Sequence, residues 1–75
     1  MTKNEKKILF ALARNNDKSY SLLKDDYPET AAHKLHESIA TDSVLIALGI
    51  YREYCDTPAK QLDTYVEEVW DQLYR

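Results

Sequence analysis

Asp63, Glu67 and Asp71 recur every four residues along "LDTYVEEVWDQLYR" (62–75), with Trp70 and Tyr74 beside them. Carboxylates at that spacing share one strip of a helix and repel one another by a few tenths of a kcal/mol per pair, so the row asks for a cation nearby. Trp and Tyr are residue types that dominate interface hot spots. The pattern predicts an acidic and aromatic edge of Asp63, Glu67, Trp70, Asp71 and Tyr74 that docks on a basic surface of a protein partner. A plainer role fits the same residues. Trp70 would close the rim of the core, and a Lys or Arg of the same chain would neutralise the row.

A second patch has the opposite sign. Lys3, Lys6, Lys7 and Arg14 surround Phe10, whereas Ile8, Leu9 and Leu12 mark the core stripe of the same helix. Three explanations compete for an aromatic in a cationic face. The helix is covered on both sides, with its basic face lying against the acidic row; or Phe10 anchors a partner or a second copy of the chain; or the cations hold phosphates while Phe10 stacks on bases. The last is disfavoured by the charge of the remainder of the chain.

Other candidate chemistry is weaker. In "ETAAHKLHE", Glu29, His33 and Glu37 form a row and His36 lies one turn from His33, but one helix face rarely converges the three or four ligands a Zn²⁺ needs. Pairs of Glu and His on a solvated face explain the same residues, so no metal is expected. Cys55 reads as a small buried hydrophobe with nothing nearby to activate a thiolate. No phosphate loop, dinucleotide fingerprint or serine elbow occurs, and a short chain offers little concave volume, so neither an enzyme nor a cofactor is expected. A helix-turn-helix drawn through residues 19–40, with 28–40 as the reading helix, makes a DNA-binding regulator the alternative function. Asp25, Asp26 and Glu29 stand where such a helix would meet phosphates, so nucleic acid is the disfavoured partner.

The elements that must position these residues follow from composition and pattern. Seventy-five residues suffice for a single domain spanning 1–75, and one Gly with two Pro favours helices over many short strands. One cysteine leaves no internal disulfide framework and suggests a reducing, cytoplasmic setting. The longest apolar run, "VLIALGIY" (44–51), is too short to span a membrane and is not placed as a signal peptide's would be. Net charge is −3, divided unevenly: residues 1–24 hold six cations against two anions, and residues 25–75 hold four against eleven. Six tyrosines are too many to be enclosed in so small a core with satisfied hydroxyls.

Thr2 and Glu5 predict a capping box at the start of the first helix, which Asn15 and Asn16 end. One or two turns over "YSLLKDD" follow, then a helix from Pro28 to about residue 40. A break is expected near 41–43. Residues 43–55, apolar nearly all round, predict the central and most buried helix, with Gly49 allowing a close crossing. Thr57 as cap and Pro58 in the first turn begin the last helix, whose core stripe is Leu62, Tyr65, Val66, Val69 and Leu73. The expected fold is all-α, a compact bundle of four to five short helices. The expected function is a small non-enzymatic protein-binding module, an inhibitor or adaptor, that also self-associates through its basic and acidic faces, which are complementary in sign.

Overall fold

A computed structural model describes residues 1–73, with Gln72 and Leu73 described as backbone only. The fold is all-α, with four helices in the order α1 (Lys3–Leu23), α2 (Pro28–Ala47), α3 (Tyr51–Asp56) and α4 (Ala59–Leu73). The central element is α1. It packs against both α2 and α4, whereas α2 and α4 do not pack broadly on each other. Fully buried Ala11 and Ala13 sit about 200° apart around α1, which lets a neighbour approach closely on either side.

The capping box forms as expected. The Glu5 amide donates to Thr2 Oγ1 at 3.1 Å, and the Thr2 amide donates to Glu5 Oε1 at 3.2 Å. From there α1 runs through Asn15 and Asn16, correcting the expected end of the helix. The low helix propensity of Asn and Asp is overridden by what their side chains gain between helices. Buried Asn16 donates through Nδ2 to Thr41 Oγ1 at 3.0 Å, and Asp17 accepts from Ser38 Oγ and, at 2.7 Å, from the Tyr54 hydroxyl. The first four residues of the stretch "YSLLKDD" are therefore the last turn of α1, and Lys24, Asp25 and Asp26 form a turn after it. A bend at Tyr27 (φ −132°, ψ 67°) leads to Pro28 in the first turn of α2.

No break occurs at 41–43. Thr41 and Ser43 donate back to the carbonyls of Glu37 (2.8 Å) and Ile39 (2.9 Å), so their hydroxyls are satisfied within the helix. The break lies instead at Leu48–Gly49–Ile50, inside the segment expected to be one central helix. Gly49 has φ +74°, its amide donates to the Ile46 carbonyl at 3.0 Å, and the Ile50 amide donates to the Leu45 carbonyl at 3.0 Å. These two bonds are a Schellman motif, completed by Ile50 packing on the cluster that holds Leu45. Gly49 thus reverses the chain; nothing packs within 4 Å of where its Cβ would be, so it does not serve a close crossing.

At the start of α4, Thr57 Oγ1 donates backwards to the Glu53 carbonyl at 2.7 Å and does not cap forwards. The Pro58 carbonyl accepts from Gln61 and Leu62 and opens the helix in its place. The core lies where α1, the end of α2, α3 and the start of α4 meet: Phe10, Ala13, Leu45, Tyr54 and Leu62, with Leu9, Ile50, Tyr51 and Tyr65 around them. Phe10 and Tyr54 stack edge to face with centroids 5.5 Å apart.

Candidate functional site

The two charge rows meet inside the molecule. Lys7 pairs with Glu68 at 2.7 Å, Arg14 Nε with Asp63 at 2.9 Å, and Lys18 with Asp63 at 3.6 Å, all between α1 and α4. Lys6 grips both oxygens of Glu53 on α3, at 3.0 and 2.9 Å. Lys7 also stands 5.7 Å from the centroid of the Tyr65 ring. Phe10, at 3% exposure, is enclosed. This corrects its place in a partner-binding patch: Leu45 and Tyr54 cover the side of α1 expected to be open, so Phe10 packs the core while the surrounding lysines reach past it. Lys3 is exposed at the first turn. A cavity of about 510 Å³ opens between α1, α3 and α4 beside Phe10 and Tyr65, and the Lys6–Glu53 and Lys7–Glu68 pairs line its wall.

The acidic and aromatic residues divide. Asp63 belongs to the α1–α4 interface, where the hydrogen bond from Arg14 and the nearby cations hold its carboxyl below the usual range. Glu67, Trp70 and Asp71 point outwards, with Trp70 at 50% exposure. Neither Glu67 nor Asp71 makes an ion pair among the described residues. Two shallow clefts flank the indole. One, about 470 Å³, lies along Val66, Glu67, Glu68 and Asp71; the other, about 300 Å³, reaches across to Lys18, Ser19 and Leu22 of α1. Leu22, at 75% exposure, gives this second cleft an apolar lip. Tyr74 lies outside the described residues.

Glu29, His33, His36 and Glu37 are all exposed on α2, and Glu37 pairs with Lys34 at 3.3 Å. Among the described residues, no group of three or more His, Cys, Asp or Glu is placed to hold a metal. Cys55 is exposed, not buried, because α3 is only six residues long and turns Tyr54 alone fully inward. Its thiol, beside the Tyr51 hydroxyl, is the main cause of that tyrosine's raised pKa. No described helix is long and apolar enough to cross a membrane.

Two features escaped the sequence pattern. One is the polar network of Asn16, Asp17, Ser38, Thr41 and Tyr54 between α1, α2 and α3. Beside it, Asp42 Oδ1 is buried without a partner among the described residues, and burial, together with the charge of Asp17, raises that carboxyl's pKa. The other is the outer face of α2. Ile39, Val44, Ile46 and Leu48 are exposed there, Ile46 at 62%, although the same segment reads as the core. Its near lack of charge was the available signal: between Glu37 and Arg52, Asp42 is the single charged residue. An uncharged helix at the edge of a bundle has the same composition as one at its centre.

Comparison with protein-family models, curated proteins and solved structures finds no match to this chain.

Proposed function

We propose that the chain is a non-enzymatic protein-binding module, an inhibitor or adaptor, that presents Glu67, Trp70 and Asp71 to a basic surface on a partner. The observation that supports it is a half-exposed indole between two carboxylates, neither of which makes an ion pair among the described residues. A Lys or Arg from outside relieves the repulsion along α4 and stacks on the indole face, while the clefts beside Val66 and Leu22 accept the aliphatic part of the incoming side chain. Asp63 supports the edge from behind by tying α4 to α1. Charge sets the encounter rate, and burial of Trp70 sets the lifetime of the complex.

Trp70 is the one tryptophan, so its fluorescence reports on this edge alone. Titration with an amphipathic helical peptide of Lys and Leu is expected to shift the emission to the blue, saturably, with weaker binding at higher salt. The double variant Glu67→Lys/Asp71→Lys keeps the indole and loses the response. Equal binding by that variant, with its helical content unchanged, contradicts the proposal. Random DNA duplex serves as the comparison, because salt-steep binding to duplex would favour the DNA-binding alternative instead.

A further inference from the structure

We infer that the outer face of α2 is a self-association surface, and that a second copy of this chain covers it by pairing α2 with α2 in antiparallel orientation about a two-fold axis near Ser43. Buried Ala31, Ser38, Thr41 and Leu45 define the side of α2 that meets the bundle. Successive residues turn by about 100°, which puts Ala40, Ser43 and Ala47 on the opposite side, along the outermost line of the helix. These are small and exposed. Ile39 and Ile46 rise on one flank of that line, and Val44 and Leu48 on the other. A floor of small residues between aliphatic walls lets two helices approach to about 8 Å, with each pair of walls closing around the other's backbone.

Charge points to a copy of the same chain as the occupant. The patch from Ile39 to Gly49 carries one ionisable group, Asp42, which is turned inward and half-buried, so two copies meet without like charges in contact despite a net charge of −3 each. The flanking charges differ in sign at the two ends. Glu37, paired with Lys34, precedes the patch, and exposed Arg52 follows it on α3, beyond the reversal at Gly49. Antiparallel pairing about a two-fold axis repeats every contact twice, and the uncharged centre of one patch meets the uncharged centre of the other. A strongly charged partner finds nothing to engage in between. The area is also sufficient. The aliphatics and small residues expose on the order of 500 Å² per copy, at the upper end of patches on stable monomers, and two such faces fully covered would bury at most about 1,000 Å², the lower bound for a specific interface. A weak, concentration-dependent dimer is the expected result.

Sedimentation equilibrium of the full chain, in reducing buffer to exclude Cys55 disulfides, is the test. Between about 1 and 500 μM the mass should climb from 8.8 kDa towards twice that value. Ile46→Glu and Ala47→Glu, both at exposed positions, should weaken association at least about tenfold with helical content and Tm unchanged. Glu67→Lys/Asp71→Lys should leave association intact, which separates this surface from the edge on α4. A mass that stays at 8.8 kDa throughout, or a dimer indifferent to both glutamates, overturns the inference. So would binding to zwitterionic lipid vesicles that Ile46→Glu abolishes while the chain in solution remains monomeric, since the face would then belong to a lipid surface.

Discussion

Asp17 accepts from Ser38 and Tyr54 while Asp42, close by, has one oxygen buried and unpartnered. The two carboxylates are thus treated unequally, and Asp42 is the destabilising one. Its folded pKa is raised, so the folded state holds that proton more firmly than the unfolded chain does. The group therefore favours folding below its unfolded pKa, near 4, and loses that contribution as pH rises through the folded value. Asp42→Asn should accordingly stabilise the protein at pH 7 by about 1 kcal/mol, read from urea unfolding, with a smaller gain at pH 4. Asp63 has the opposite sign. Its pKa is lowered by Arg14, so its contribution is present at neutral pH and is lost as acid protonates it. Tyr54→Phe removes the donor to Asp17 and should cost roughly 1.5–3 kcal/mol, the range for a bond to a charged group.

Elements were legible in the sequence where local signals act alone. Thr2 with Glu5 marks the start of α1, Pro28 the start of α2, and the spacing of Leu62, Tyr65, Val66 and Val69 the inner stripe of α4. They were illegible where side chains reach across helices. Asn16 and Asp17 resemble a helix end, and Thr41 a fresh start, because the side chains they bond lie 21 to 37 residues away in the chain. The placement of α1 as the central helix was hidden for a related reason. Its lysines and Arg14 suggest an open face, yet their long stems cross the rim to α3 and α4 while Phe10 fills the interior. Gly49 ends α2 through its left-handed conformation, so Gly49→Ala should cost roughly 1–2 kcal/mol in thermal or urea unfolding although nothing crowds the new methyl. Thr2→Ala should cost about 1 kcal/mol by removing the capping box.

At the scale of the whole molecule, one helix flanked by two others leaves two kinds of surface. The α1–α4 side is laced with ion pairs and carries the outward edge of Glu67, Trp70 and Asp71; the outer face of α2 from Ile39 onwards is aliphatic and nearly free of charge. Part of the charge asymmetry of the sequence is met inside the molecule, by ion pairs between α1 and α4. The part of the acidic row beyond Asp63 makes no ion pair among the described residues. Because Trp70 is half-exposed, Trp70→Ala with Asp71→Lys should change the Tm by no more than a few degrees, as surface substitutions do.

Backbone amide chemical shifts, followed while a cationic amphipathic peptide is added to the full chain, probe the binding edge most directly. Glu67 to Asp71 and Leu22 should move together and saturate, with Ile39 to Leu48 unaffected at a fixed protein concentration. Shifts confined to α2, or scattered over every acidic residue without saturation, would contradict a binding edge on α4.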